Sequence, residues 1–257
     1  MAAPPSVTIA GRPRLSPATR LRVTLAITAA LVWQVVSSTG IVLHDVVPSL
    51  PRLGGALWTL VIDPALYQNL AVTGYEVGGA LVIGGSAGVA IGLGLGGHRF
   101  LGRAFEPWLH YAGPVPKIVL FPVAILWFGV DTSSKIALGA LSCVFPIALS
   151  TAVAVRDIDP VLIRVGKSFR ATRVQMITRI YLPAIRAALV VGVRVGLGVA
   201  IIGVLLAETK LSNRGLGYLV MQRYAQFDIA GMYALLIVTL LLSVVANGLL
   251  GRFGRTR

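Results

Sequence analysis

Basic side chains are concentrated in one polar segment of an otherwise apolar chain, residues 156–183. Six Lys or Arg side chains fall in this segment, against two acids, Asp157 and Asp159. Asp159 is a good helix N-cap, and Pro160 suits the first helical position because its missing N–H has no partner there. Apolar residues then recur at helical spacing, which predicts a short helix with one apolar and one basic face. These apolar residues are Val161, Leu162, Val165 and Phe169.

A helix of this kind is suited to binding a surface and not to catalysis. A short amphipathic helix can lie on a lipid surface or fit into a partner, and the periodicity leaves both interpretations open. A solvated basic loop would explain the charge, but it would not explain the cap or the two faces. Thr172 can begin a second short helix, and Pro183 is expected to end or kink it.

Two further ionisable side chains, Glu76 and Arg194, lie inside long apolar runs. If these runs span a membrane, an isolated charge there is unfavourable, so each side chain should face protein or water. One interpretation is that Arg194 helps an anion to cross. The alternatives are a structural pair, with the two side chains facing each other, or snorkelling to an interface.

Two nucleotide-binding motifs are incomplete. Gly92, Gly94 and Gly97 match GxGxxG, but they end an apolar helix instead of following a strand. Gly166-Lys167-Ser168 resembles the end of a phosphate-binding loop, yet Val161 stands where that loop needs glycine. The three histidines are scattered along the chain. We therefore predict no nucleotide site, no catalytic group and no metal site.

The elements that position these residues are membrane spans. Hydrophobic residues make up 56% of the chain and charged residues 12%, the composition of an all-α polytopic membrane protein. Residues 1–20 form a polar tail, and residues 21–257 are predicted to be one transmembrane domain. An interfacial helix is expected near residues 53–62. The six predicted spans are residues 21–43, 70–95, 114–130, 136–155, 184–207 and 229–250.

The net charge of +14 is explained by membrane topology. Sixteen of the 23 Lys and Arg residues fall in segments predicted on one side of the membrane, and five fall on the other. The positive-inside rule then puts both termini in the cytoplasm, with residues 97–113 as an inner loop. No nucleic-acid partner is needed to account for the charge.

The second and third predicted spans have features of helix packing. Glycines at every fourth position form a stripe that allows another backbone to approach closely, which favours a packing role over a transport role. This stripe consists of Gly84, Gly88, Gly92 and Gly96. The third span is interrupted by prolines, which indicates either the wall of a pathway or a simple kink. The single Cys143 lies in an apolar run and is predicted to be a core thiol.

The order of these motifs resembles the inner-membrane permease subunit of type I ABC importers, in the subfamily for sulfonates, taurine and nitrate. The resemblance extends from about Asn69 to Leu250. It is most specific in the cytoplasmic loop with its Leu182-Pro183, in the proline-rich third span through Trp127-Phe128-Gly129, and in the GLG of residues 215–217.

Two positions depart from the family pattern. The family's Glu-Ala-Ala triplet corresponds to Arg164-Val165-Gly166 here, and its glycine corresponds to Arg170. The charge at the position of the glutamate is thus reversed. We expect the ATPase partner to present a more acidic cleft than usual.

The resemblance implies three groups of site residues with different roles. Residues 160–171 would be a coupling helix that binds in a cleft of an ATPase subunit. The coupling group is Asp159, Pro160, Arg164, Gly166, Lys167, Phe169, Arg170, Ala171, Leu182 and Pro183. The translocation path is expected to include Pro116, Pro122, Trp127, Phe128, Glu76 and Arg194. The residues expected to face a binding protein are Glu208, Arg214, Gly215 and Gly217.

The resemblance also implies partners and a location. These partners are a second permease copy, two ATPase subunits that bind ATP and Mg²⁺, and a periplasmic or lipid-anchored binding protein, within the lipid of a prokaryotic inner membrane. Alternating access would move a small anion. The rival interpretation is an ion-coupled secondary transporter, which usually has repeated halves and paired intramembrane acids. Neither feature is evident in the sequence.

Overall fold

The computed structural model describes residues 16–39 and 46–253, and every regular element in these ranges is helical. The predicted tail lies mostly outside the described residues, as does the end of the predicted first span. The helices are α1 Pro17–Thr39, α2 Leu50–Ile62, α3 Pro64–Gly97, α4 Arg99–Ala112, α5 Phe121–Phe128, α6 Thr132–Arg156, α7 Pro160–Ser168, α8 Arg173–Met176, α9 Leu182–Lys210, α10 Leu216–Ala225 and α11 Ile229–Phe253.

The chain divides into two compact units, Met1–Gly55 and Ala56–Arg257. In the first unit, side chains of α1 bind the backbone that leads into α2. The indole of Trp33 donates to the carbonyl of Pro48 at 2.9 Å, and the amide oxygen of Gln34 accepts from the N–H of Leu50 at 3.0 Å. The helix predicted near residues 53–62 is present as α2.

Within residues 16–39 and 46–253, five helical segments are long and apolar enough to cross a membrane. They are Pro17–Thr39, Pro64–Gly97, Thr132–Arg156, Arg173–Lys210 and Ile229–Arg252. A sixth crossing is formed only if Arg99–Ala112 and Lys117–Phe128, which meet at an angle of 89°, count as one bent span. The predicted inner loop at residues 97–113 is therefore mostly helix α4. Its chain turns sharply at the prolines before the short 3-10 turn Lys117–Leu120.

The glycine stripe of α3 packs against α6, as predicted. The two helices run parallel, and each glycine faces a backbone carbonyl of α6 that advances by the same four residues. A Cβ added at Gly88 would lie 2.8 Å from the carbonyl oxygen of Val144, and one at Gly96 would lie 2.7 Å from that of Ala152. Only glycine permits this separation, which brings the backbones into direct contact.

An adjoining face of α6 packs against α9. The shared core includes Cys143, Ile147, Ala200 and Val204, all fully buried. The thiol of Cys143 donates to the carbonyl of Ala80 at 3.5 Å. Cys143 is a packed core residue, as the sequence predicted. Helices α3, α6 and α9 together form the framework that holds the polar sites at both ends of the spans.

Candidate functional site

Helix α7 is defined at both ends by specific capping. The carboxylate of Asp159 accepts from the N–H of Val161 at 2.8 Å, and Pro160 occupies the first helical position. At the other end the N–H of Ala171 donates to the carbonyl of Gly166 and that of Arg170 to Lys167, each at 3.0 Å. This pair of bonds is a Schellman motif. The predicted helix of residues 160–171 thus consists of α7 and its C-terminal cap.

One side of α7 is anchored to the spans. Ile163 packs against a buried cluster formed by Val155, Ile158 and Ile185. Gly166 is buried one turn later, where an added Cβ would lie 2.6 Å from the sulfur of Met176. The absence of a side chain at Gly166 therefore lets α7 pack closely on the segment that follows it. This anchoring fixes the position of α7 relative to α6 and α9.

The opposite side of α7 is presented outward. Phe169 is 84% exposed and Leu162 is 47% exposed. The basic side chains of the helix are exposed as well. Apolar side chains of this size are normally buried, so a contiguous exposed set is typical of a surface that binds lipid or another protein. The exposed apolar residues of this surface are Val161, Leu162, Val165 and Phe169.

The chain returns to the spans through α8. The hydroxyl of Thr172 and the side chain of Gln175 form a reciprocal capping box, which confirms the helix start predicted at Thr172. A π-helical turn, Ile177–Tyr181, joins α8 to α9. Pro183 lies in the first turn of α9 and does not end the helix, because the π turn before it rearranges the backbone hydrogen bonds.

The predicted path residues do not form one cluster. Pro116, Pro122, Trp127 and Phe128 are exposed around α5. Trp127, 77% exposed, also lines an apolar groove of about 490 Å³ between α3, α5 and α6. The described residues that line this groove include no charged side chain.

Glu76 and Arg194 do not face each other. The carboxyl group of Glu76 is buried near the start of α6, with its side chain 1% exposed. Arg194 is exposed, and its Nε donates to the amide oxygen of Asn247 on α11 at 2.7 Å. About fourteen residues of α9 separate Arg194 from Glu208, which contacts Glu76; at 1.5 Å per residue this is about 21 Å. The predicted structural pair is therefore wrong.

The residues expected to face a binding protein are mostly internal. Glu208, Gly215 and Gly217 are buried, and only Arg214 exposes its side chain. The carboxylate of Glu208 accepts from the hydroxyl of Thr73 at 2.6 Å and from the N–H of Gly217 at 2.7 Å. Through these bonds Glu208 holds the 215–217 turn against the spans. Glu208, Gly215 and Gly217 therefore do not form the outward-facing surface that we expected.

Three further side chains in this polar cluster were missed by the sequence reasoning. Asn69 accepts from the N–H of Gly215 at 2.7 Å, and Thr73 accepts from the N–H of Leu216 at 2.9 Å. Lys135, 1% exposed, donates to the carbonyl of Val130 at 2.7 Å. The spacing of Asn69, Thr73 and Glu76 along one face of α3 was the available signal.

A bundle of long apolar helices, with an anchored amphipathic helix between two of them, has the architecture of a multi-pass membrane protein. Residues 84–256 match the family model of the binding-protein-dependent transport system inner membrane component. The chain belongs to this family and is an ABC importer permease. The family assignment excludes the ion-coupled secondary transporter that the sequence left as a rival.

Individual relatives agree with this assignment. The chain is 34% identical to a putative aliphatic sulfonates transport permease protein of Escherichia coli, over 82% of this chain and 80% of the relative. It is 29% identical to the taurine transport system permease protein of the same organism, over 71% and 68%. It shares its fold with a chain of the inward-facing MetNI methionine ABC transporter, with a TM-score of 0.63, 22% identity and coverage of 82% and 100%.

Proposed function

We propose that α7 is the mechanical link between this permease and a separate ATPase subunit that binds ATP and Mg²⁺. The supporting observation is the exposed apolar and basic surface on a helix whose back is anchored to α6 and α9. A displacement of such a helix would be transmitted directly to α6 and α9. The cap at Asp159 and the close packing at Gly166 hold the helix firmly in place. Two copies of the chain and two ATPases would make up the moving core.

The transport cycle would alternate between two conformations of the complex. Closure of the ATPase pair on ATP would draw the two α7 helices together and reorient the spans, which is a ligand-driven shift between two conformations. The exposed residues Trp127 and Phe128 of α5 would line the path between the two copies. Arg214, at the other end of the spans, would meet the binding protein.

A matched pair of phenylalanine variants tests the role of α7. Phe169 and Phe227 are 84% and 86% exposed, and Phe227 lies beyond α10. Phe169→Ala should reduce both co-purification of the ATPase and substrate-stimulated ATP hydrolysis in the reconstituted complex. Phe227→Ala should leave ATPase binding at the wild-type level. Equal ATPase binding in both variants would contradict the proposal.

We propose that the substrate is a small organic anion of the sulfonate class. The support is the similarity to relatives named for aliphatic sulfonates and taurine. Uptake of labelled taurine and of a short alkanesulfonate should require this permease in cells that also express its ATPase and binding protein. A 30% identity to a formylaminopyrimidine permease over 56% of the chain makes an uncharged pyrimidine the comparison substrate. Uptake of the pyrimidine alone would overturn the anion proposal.

A further inference from the structure

The start of α6 and the end of α9 enclose a cluster of buried ionisable groups. Glu76, Lys135 and Glu208 are each 1% exposed. The carboxyl groups of Glu76 and Glu208 lie within hydrogen-bonding reach of each other, and Lys135 is the cation that faces both. Among the described residues, these three are the charged groups that act on one another at this site.

One atom in this cluster lacks a partner. Oε2 of Glu76 is buried and, in the part of the chain that the structure describes, is the one buried side-chain oxygen or nitrogen without a hydrogen bond. Both oxygens of Glu208, in contrast, accept hydrogen bonds, from Thr73 and from the N–H of Gly217. A buried acceptor without a donor is strongly unfavourable. A proton on Glu76 would let its carboxyl group donate a hydrogen bond to Glu208, which lies within reach.

The charge of the cluster supports the same conclusion. Two carboxylates beside one ammonium leave a net negative charge in a buried site, and two like charges at this separation do not both ionise readily. A single bound proton makes the cluster neutral. We propose that Glu76 and Glu208 form a proton-binding site that holds one shared proton, balanced by Lys135.

The shared proton has a structural consequence for the 215–217 turn. Glu208 binds Gly217, Thr73 binds Leu216, and Asn69 binds Gly215, so this turn is attached to α3 and α9 through the cluster. Loss of the proton would leave two negative charges facing each other between α3 and α9. The attachment of the turn is therefore expected to weaken as the pH rises far enough to remove the proton.

Infrared spectroscopy of the purified chain tests the site directly. The wild type should show the C=O stretch of a buried protonated carboxyl group at neutral pH, with a shift in D₂O. Glu76→Gln and Glu208→Gln should each abolish the whole band, because the remaining carboxylate is neutralised by Lys135. No band in the wild type would overturn the proposal. Loss of half the band in each variant would mean two independent protons and would also overturn it.

Amide hydrogen exchange provides a second test and a check on folding. In Glu76→Gln the side-chain amide can donate to Glu208 in place of the proton, so this variant should fold. After correction for intrinsic rates, the amides of Leu216 and Gly217 should lose protection in the wild type at alkaline pH, while Glu76→Gln stays protected. The amide of Gly231, bound to Asp228 at 3.0 Å, is the control. Identical pH profiles in both proteins would contradict the proposal, and neither test depends on the transport function proposed above.

Discussion

Arg170 is the residue whose backbone conflicts with its side chain. Its φ of 52° lies in the left-handed region, at the C′ position of the Schellman motif that ends α7. Glycine is preferred at this position because it has no Cβ to clash with the backbone. The resemblance aligned the family's glycine with Arg170, and the structure gives a physical reason why a glycine suits that place. The arginine retains the turn at the expense of local strain.

Arg170→Gly should stabilise the end of α7. Removal of the strain is expected to be worth about 1 kcal/mol, equivalent to about fivefold slower hydrogen exchange at the amide of Ala171. Arg170→Ala is the matched control, since it removes the charge and keeps a Cβ in the left-handed region. A similar effect in both variants would show that charge, not backbone strain, determines the stability of this cap.

Arg164 should contribute charge to the contact with the ATPase. Arg164 is exposed on α7, where the family pattern has a glutamate. If the partner cleft is acidic, Arg164→Glu will place two negative charges together and weaken ATPase binding, with a loss that shrinks at high salt. Arg179→Glu, on an exposed residue outside α7, controls for net charge. Unchanged ATPase coupling in Arg164→Glu would contradict the acidic cleft.

At the scale of elements, α3 and α6 depend on glycines that admit no side chain. Gly88→Ala would place a Cβ 2.8 Å from the carbonyl of Val144 and 2.9 Å from the Cβ of Ile147, so backbone must move. Overpacking of this kind typically destabilises by about 1–3 kcal/mol. The measurement is the thermal unfolding temperature of the purified protein in detergent.

Gly94 provides the matched control for this seam. It lies on the same helix but has open space around its Cβ position. Gly94→Ala should leave the unfolding temperature unchanged or raise it, since alanine favours helix over glycine by about 1 kcal/mol. Destabilisation by both substitutions to the same extent would show that the seam does not depend on close packing.

For the whole molecule, the predicted topology puts α7 in the cytoplasm and the turn before α10 outside. Cys143 is the single cysteine, so Cys143→Ala gives a background without thiols. In that background Arg214→Cys should react with a membrane-impermeant maleimide in intact cells. Ser168→Cys should react only after permeabilisation. The reverse pattern would invert the proposed orientation and exclude α7 as an ATPase contact.

The local features of this protein were determined by its sequence. The N-cap at Asp159, the helix start at Thr172 and the glycine stripe of α3 depend on neighbours within one or two helical turns, so residue types and spacing suffice to predict them. The apolar runs were long enough to identify most spans for the same reason. The bend between α4 and α5 was harder to predict, because prolines permit either a kink or a break.

The partners of the buried charges were decided only by the tertiary structure. Glu76 and Glu208 are 132 residues apart in the chain and meet because α3, α6 and α9 pack side by side. Sequence proximity gave no reason to place Lys135 beside them, and membrane depth alone suggested Arg194 as the partner of Glu76. Long-range contacts depend on how helices are arranged in space, whereas periodicity specifies only which face of each helix is buried.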